Sequence, residues 1–221
     1  MTNSPKHSFL FALLFLCFNI ALIAKPFEST YKPLPSINVL IKNANIYDGE
    51  GNELLQTDLL IKDRKIEAIG KDLPVTNDFE VINASGKWVT PGIIDIHSHM
   101  GVYPAPGVRT SSDGNEATSP VTADVWAEHS MWVQDPQYTL ALSGGVTAFH
   151  VLPGSANLIG GRGVTVKNLQ RVTINSMKFP DAPHSLKMAC GENPKRVYGN
   201  RQQAPSTRMG NIAGYRKAWI E

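Results

Sequence analysis

The chain between residues 37 and 90 contains short apolar stretches in which hydrophobic and polar positions partly alternate. Alternation with a period of two predicts strands with one buried face. The strands are predicted over residues 37–47, 58–62, 65–70, 80–83 and 87–90. Asp63-Arg64 is predicted to be a hairpin turn between the second and third strands. Ser85-Gly86 is predicted to be the turn between the last two strands, which form another pair. Residues 37–90 are therefore predicted to form a small antiparallel sheet.

From residue 91 onward the apolar positions become continuous, which is typical of parallel strands buried on both faces. Residues 92–97 and 145–152 are the clearest of these runs, and weaker strands are predicted over 163–166 and 185–189. A helix is predicted between the first two runs, because Asp135-Pro136 is a helix start signal and a glycine pair ends the pattern. This region is thus predicted to be α/β, with four parallel strands.

The last part of the chain has apolar side chains at helical spacing. Residues 206–221 are therefore predicted to form a helix, with one face made of Met209, Ile212, Ala213, Arg216 and Trp219. The pattern reaches Glu221 without a helix stop signal, so the helix is expected to be interrupted there. Residues 194–202 are the main concentration of basic side chains, and they are predicted to be a solvated loop.

Residues 1–24 have the pattern of a secretory signal peptide, with Lys6 ahead of a mostly apolar run that ends at Ala24. The alternative is an uncleaved membrane anchor, because about 17 apolar residues reach the lower limit for crossing a bilayer. We expect an exported protein, periplasmic or secreted, that contacts a membrane only through this segment. Residues 25–36 contain three prolines and are predicted to be an extended linker.

Composition narrows the class of protein further. The 221 residues are 42% hydrophobic with a formal net charge of +2, which leaves room for one or two cores. A nucleic-acid-binding protein would need basic residues clustered on one face, and here they are scattered. Cys190 is the only cysteine outside the predicted signal peptide, so the mature chain has no internal disulfide.

The strongest chemical signal is the pair His97 and His99, at the end of the first continuous apolar run. Side chains two positions apart in a strand point to the same face, so the two imidazoles project together, about 6–7 Å apart. This spacing suits a shared divalent metal ion, and Asp95 is placed to hydrogen-bond a histidine nitrogen. The alternative is that both histidines cap a core strand without metal. His150, on the next strand, is interpreted as a core histidine.

These residues resemble a known family. VTPGIIDIHSH, residues 89–99, resembles the first barrel strand of the amidohydrolase superfamily, and residues 43–49 and 60–70 resemble the small β-sandwich that precedes it. The resemblance runs from residue 37 to the end of the chain and is closest to the imidazolonepropionase-related branch. It implies a metal-dependent hydrolase of C–N bonds, in amides or cyclic amides, that acts on a small-molecule or peptide-like substrate. One or two divalent ions, zinc first, are the implied cofactor.

The fold implied by the resemblance is a (β/α)₈ TIM-type barrel, of which only the first strands are expected here. Residues 37–90 would be a portion of the N-terminal β-sandwich, and residues 91–221 the first half of the barrel, which usually takes about 250 residues. The catalytic aspartate and the later histidine ligands of the family have no counterpart among these strands. We therefore assign no catalytic residue and expect the chain to be incomplete and weakly active or inactive.

The resemblance also implies the metal ligands. His97 and His99 would bind the metal, and Lys187 on the fourth strand would join them after reaction with carbon dioxide to an anionic carbamate. The alternative for Lys187 is a surface lysine with an apolar stem. Glu192, which follows the same strand, is the rival ligand, because carboxylate oxygens also bind zinc.

Residues 154–163 are rich in glycine but lack the Lys-Ser/Thr of a phosphate-binding loop. They are predicted to form a loop over the mouth of the active site, where Asn157 and Arg162 would contact substrate. A purely structural turn fits these residues equally well.

Two other functions remain open at this point. The chain could be a secreted β-rich binding or scaffold module in which the histidines are structural. It could also be one half of a split enzyme, completed by a complementary chain or by a homo-oligomer.

Overall fold

The computed structural model describes residues 26–74 and 76–220, so the predicted signal peptide lies outside the described residues. The fold is mixed α/β. The first sheet contains β1 (Asn38–Tyr47), β2 (Glu53–Lys62), β3 (Lys65–Gly70), β4 (Phe79–Asn83) and β5 (Trp88–Val89). The second sheet contains β6 (Ile93–Ser98), β7 (Val146–Val151), β8 (Ile159–Lys167) and β9 (Ser185–Met188). The α-helices are α1 (Gln137–Ser143), α2 (Glu192–Gly199) and α3 (Arg208–Ile220).

The first sheet has the strand order β3-β2-β1-β4, and β5 also pairs with β1. The hairpin predicted at Asp63-Arg64 is confirmed, since both residues have positive φ angles of 50° and 65° and the flanking strands are antiparallel. The prediction of a wholly antiparallel sheet is wrong, because β4 and β5 both pair with β1 in parallel. β4 begins at Phe79 beside Asn38, where β1 also begins, and the two strands therefore run in the same direction.

The core of the first sheet is small. It consists of Ala44, Ile46, Leu59 and Ala84, with partly buried apolar side chains around them. The described residues form one layer of strands here, and a second layer that would make a sandwich is not among them.

The second sheet has the order β6-β7-β8-β9, and its pairing differs from the prediction. β6 and β7 are parallel, whereas β8 is antiparallel to β7 and β9 is antiparallel to β8. A parallel connection needs a crossover of about a dozen residues or more, and residues 152–158 are too few for one. The expected set of four parallel strands is therefore wrong at β8, while β9 again runs in the direction of β6 and β7.

The predicted helix between β6 and β7 is present as α1. Asp135 is fully buried and accepts hydrogen bonds from the backbone N–H of Gln137 at 3.0 Å and of Gly101 at 3.1 Å. It therefore ties the start of α1 to the loop that follows β6. Gly145, with φ of +87°, ends the helix in a conformation that favours glycine.

The main core lies under β7 and β8 rather than β6. Its buried members are Val102, Ala127, Tyr138, Phe149, Val151, Val164, Val166 and Met177. Burial of β6 on both faces was expected, but Ile94 and Ile96 are 62% and 77% exposed. None of the described elements packs over these two side chains.

The helix predicted at the end of the chain is present as α3, in which Met209, Ile212 and Trp219 are exposed and Asn211 is buried. One prediction in this part needs correction. The segment predicted as a solvated loop after residue 193 is mostly helix α2, which buries Tyr198. The described part of the chain has no helix that is both long and apolar enough to span a bilayer.

Candidate metal centre

Three of the predicted site residues meet at one end of the second sheet. His97 lies near the end of β6 and His99 directly follows that strand, and their ring centroids are 5.3 Å apart. The Lys187 Nζ in β9 lies 3.1 Å from the His97 Nε2. His97 is exposed, His99 is half-buried and Lys187 is buried.

This meeting depends on the shape of the sheet. Neighbouring strands lie about 4.8 Å apart, so a flat sheet would separate β6 from β9 by roughly 14 Å. Contact between Lys187 and His97 across the two intervening strands therefore requires a strongly curved sheet. The three side chains point to the concave side of that curve.

The tautomer of His99 follows from its hydrogen bond. Its Nδ1 lies 2.8 Å from the carbonyl oxygen of Leu152, at the end of β7. Because a carbonyl only accepts, Nδ1 carries the proton and Nε2 keeps its lone pair. A backbone carbonyl on the second ring nitrogen is the usual support of a metal-binding imidazole.

The surroundings of His97 and Lys187 disfavour the protonated form of each side chain. The charge of Lys187 lowers the pKa of His97 most, followed by burial and the charge of His99, while Asp95 opposes the shift. Burial lowers the pKa of Lys187. A lysine amine that loses its proton more easily becomes a better nucleophile.

The sequence had suggested that Asp95 hydrogen-bonds a histidine ring, but its side chain bonds the backbone instead. Its Oδ1 accepts a hydrogen bond of 3.0 Å from the backbone N–H of His97. The side chain therefore folds back along its own strand, and the carbonyl of Leu152 orients the neighbouring His99 ring instead.

Glu192 lies apart from the two histidines. It is the exposed first residue of α2. Within residues 26–74 and 76–220, no group of three or more His, Cys, Asp and Glu side chains is arranged to hold a metal ion. Glu192 therefore does not complete a set with His97 and His99 in this structure, whereas Lys187 approaches them directly.

The glycine-rich stretch is only partly a loop, because residues 159–163 belong to β8. Gly161 has φ of +108°, and a Cβ there would meet the backbone oxygen of Val125 at 2.6 Å. Gly161 is also the β8 partner of Lys187. A glycine is thus required where a neighbouring segment approaches β8 beside the site.

The two residues expected to contact substrate both have contacts within the protein. The Asn157 side chain is 1% exposed, and its Nδ2 donates to the carbonyl oxygens of Glu116 and Ser119. The Arg162 guanidinium lies over the ring of Trp126, 4.8 Å from its centroid. The buried contacts of Asn157 fit the structural turn, whereas Arg162 lies within strand β8.

A cavity of about 330 Å³ begins at His99. Its lining residues come from the loops after β6 and β7 and from α2: His99, Tyr103, Asn115, Gly154, Ser155, Ala156, Asn193, Arg196 and Val197. Sequence reasoning missed Tyr103, Asn115 and Arg196. Tyr103 and Asn115 lie in the loop that follows the histidine-bearing strand β6. Their place in that loop was the one sequence signal that could have identified them as candidate site residues.

His150 lies beside the cluster on β7. Its Nδ1 is 2.9 Å from Thr165 Oγ1 and its Nε2 is 2.6 Å from Ser185 Oγ. Burial first, and then the charges of His184 and His97, lower its pKa. Both ring nitrogens have partners within the protein, which agrees with a core histidine.

Comparison with known proteins gives several partial matches, although no protein-family model matches the chain. Amidohydrolase tasK of Hapsidospora irregularis is 35% identical over 206 residues, which are 81% of this chain and 21% of that protein. A dihydroorotase of Lactobacillus helveticus is 43% identical over 77 residues, 35% of this chain and 16% of that protein.

A solved structure matches the fold over most of the chain. The crystal structure of an amidohydrolase from Thermotoga maritima MSB8 aligns with 82% of this chain and 46% of its own, at 41% identity and a TM-score of 0.75. The chain therefore spans less than half the length of each of these three proteins.

Proposed function

Because the chain belongs to the amidohydrolase superfamily, we propose that it provides the first metal-binding residues of a hydrolase that cleaves C–N bonds in amides or cyclic amides. The observation that carries this proposal is the approach of Lys187, from β9, to within 3.1 Å of His97. Residues 90 positions apart in the chain converge there with a second histidine. A scaffold module would have no need of this arrangement.

The donor set fits a divalent cation, with zinc as the first candidate. The Nε2 atom of His99 has a free lone pair, since its Nδ1 donates to Leu152. The Nε2 atom of His97 faces Lys187. Imidazole nitrogens are ordinary zinc ligands, and the lowered pKa of His97 keeps its ring available for coordination.

Lys187 would complete the set as a carbamate. The lone pair of its neutral amine attacks the carbon of carbon dioxide, a C–N bond forms as one C=O π bond opens and leaves its electron pair on oxygen, and the nitrogen releases a proton to solvent. The lysine then carries an anion in place of a cation beside His97. Burial favours this step because it disfavours the ammonium form.

A bound divalent ion would supply Lewis acidity, which polarises the scissile carbonyl and makes water nucleophilic near neutral pH. Other residues of this chain would keep the metal ligands in position. The carbonyl of Leu152 orients the ring of His99, and strand pairing with Gly161 positions Lys187. Proton transfer to the leaving nitrogen is assigned to no described residue. The small-molecule substrate would enter from the cavity at His99.

We further propose that β6, β7 and β9, which run in the same direction, form part of the wall of a (β/α)₈-type barrel, into which the antiparallel β8 is inserted. The curvature that brings β9 to β6 supports this, as does the similarity to the Thermotoga structure. The ends of β6 and β9 would then lie at the mouth of the barrel, where enzymes of this fold carry their chemistry.

Zinc retention tests the metal site. The chain is loaded with zinc and dialysed, and the metal that remains is measured. We expect wild type and the exposed-histidine control His129→Ala to keep zinc, and the double variant His97→Ala/His99→Ala to lose it. Equal retention in the double variant would exclude these histidines as ligands.

Carbamate formation is tested separately with ¹³C-labelled bicarbonate. Wild type should show a carbamate carbon signal in the presence of zinc, and Lys187→Met should not. If zinc binding is independent of bicarbonate and of Lys187 but is lost in Glu192→Gln, the ligand role belongs to Glu192.

A further inference from the structure

The cavity lined by His99 is also lined by one cationic side chain. Arg196, in α2, lines it together with Asn193 and Ser155, and no acidic side chain is among the described lining residues. The guanidinium of Arg196 has no carboxylate within ion-pair distance in the described part of the chain. The cavity therefore contains one positive charge without a protein counterion.

Arg196 is held in place by neutral groups. Its Nη2 donates to the Asn193 Oδ1 at 3.3 Å, and the Asn193 Nδ2 donates to the Ser155 Oγ at 2.6 Å. Ser155 belongs to the loop that leaves β7, so this chain of hydrogen bonds links α2 to the sheet. The guanidinium is oriented without being neutralised.

The part of the cavity wall that includes Tyr103 and Asn115 is also built from polar groups. Tyr103 OH donates to the Asn115 Oδ1 at 2.7 Å, and the Asn115 Nδ2 donates to the Asn157 Oδ1 at 3.1 Å. Burial raises the pKa of Tyr103, so its hydroxyl stays protonated. The ring of Tyr103 packs edge-on against His99, 5.8 Å between centroids, which joins this wall to the candidate metal centre.

We infer that this cavity binds a substrate with a free carboxylate near its scissile amide, with the carboxylate on Arg196 and the amide toward His99. The planar guanidinium is always charged and matches a carboxylate with two parallel hydrogen bonds. A volume of about 330 Å³ is at the lower end for ligand cavities, so the substrate is small. The inference rests on the proposed function, because it takes the histidines as the reacting end.

Binding of two matched probes tests the inference on the full, zinc-loaded chain. N-acetyl-L-alanine carries the carboxylate, and N-acetyl-L-alanine methylamide is its neutral counterpart; inorganic phosphate is the third ligand. Affinities are measured by titration calorimetry for wild type, Arg196→Gln, Arg196→Lys and the control Arg216→Gln. Arg216 is an exposed arginine of α3 that does not line the cavity.

We expect wild type and Arg216→Gln to prefer the carboxylate probe. Arg196→Gln should lose about tenfold or more of its affinity for that probe alone, the size typical of a charge-assisted hydrogen bond. Arg196→Lys keeps the positive charge but lacks the two parallel donors of the guanidinium, so it should lose less affinity for the carboxylate probe. Circular dichroism and zinc retention establish that each variant is folded and loaded.

Two results would overturn the inference: equal binding of both probes by wild type, or unchanged carboxylate binding in folded Arg196→Gln. Tighter binding of phosphate than of the carboxylate probe would also overturn the proposed substrate class. If wild type retains zinc but shows no carboxylate preference, only the inference fails. If wild type retains no zinc, the proposed function fails instead.

Discussion

β6 and β7 are hydrogen-bonded neighbours with similarly apolar sequences, yet their environments are opposite. Ile94 and Ile96 in β6 are 62% and 77% exposed, whereas Phe149 and Val151 in β7 are fully buried. The difference lies in what covers each strand. Tyr138 from α1 packs against Phe149, and Met177 lies in the same cluster, but nothing comparable lies over the two β6 isoleucines in the described residues.

The contrast indicates that the strands that stabilise the second sheet differ from the strand that carries the candidate metal ligands. β7 and β8 provide the buried foundation of the second sheet, and the exposed strand β6 provides the histidines of the candidate metal centre. An apolar run in the sequence shows that a strand can be buried. Whether it is buried depends on elements that are distant in the chain.

The largest effect should come from truncating the buried strand. Phe149→Ala removes a ring that packs against Tyr138, and we expect it to lower the free energy of unfolding by about 4 kcal/mol. The matched change Ile96→Ala in β6 should change it by less than about 0.5 kcal/mol. Urea unfolding of both variants measures the difference. Similar losses in the two strands would show that β6 is covered in solution.

A somewhat smaller effect is expected at the buried ion pair between Lys178 and Glu128. Lys178 Nζ lies 2.7 Å from Glu128 Oε1 and donates to the Phe27 carbonyl at 2.6 Å, with both charged side chains nearly inaccessible. Lys178→Met leaves Glu128 as an unpaired buried charge, and we expect a loss of about 3 kcal/mol in urea unfolding.

The double variant Lys178→Met/Glu128→Leu checks the cause of that loss. It removes both charges, so it should recover much of the stability of wild type. If the double variant is as unstable as Lys178→Met, the missing contact with Phe27, rather than the orphaned carboxylate, is responsible.

The smallest effect should be a pH dependence that arises in β7. Burial holds the pKa of His150 below its usual 6.5, so the unfolded chain binds more protons than the folded protein as the pH falls below that value. The free energy of unfolding should therefore have its full value above pH 6.5 and should decrease as the pH falls below it. His150→Gln should make this decrease shallower without abolishing it, since the pKa of His97 is lowered too. Urea unfolding between pH 5 and 8 measures both slopes, and an identical slope in the variant would contradict the assignment.

Local features were predictable because their causes are local. The turn at Asp63-Arg64 lies between two short strands, and the spacing of His97 and His99 places both on one face whatever surrounds the strand. Both features rest on the geometry of a few residues. The approach of Lys187 to His97 was expected from the family resemblance, and it depends on the curvature of the sheet.

Other features could not be derived in this way. The antiparallel direction of β8 follows from a connection too short for a crossover, and the strand begins at Ile159, inside a stretch that its glycines had marked as a loop. Arg196 was hidden for a similar reason, because its segment is strongly basic and resembles a solvated loop. Its position beside the cavity depends on α2 packing next to the loop after β7, through Asn193 and Ser155.

The sequence by itself determined the approximate positions of most strands, the paired histidines and the family to which they are similar, because strand periodicity and turn chemistry act over a few residues. Tertiary structure decided which apolar strand is buried, which polar side chains hold loops together, and that Lys187 rather than Glu192 approaches His97. The physical reason is that burial and convergence depend on sheet curvature and on contacts between residues far apart in the chain. No local pattern of hydrophobic and polar positions encodes these contacts.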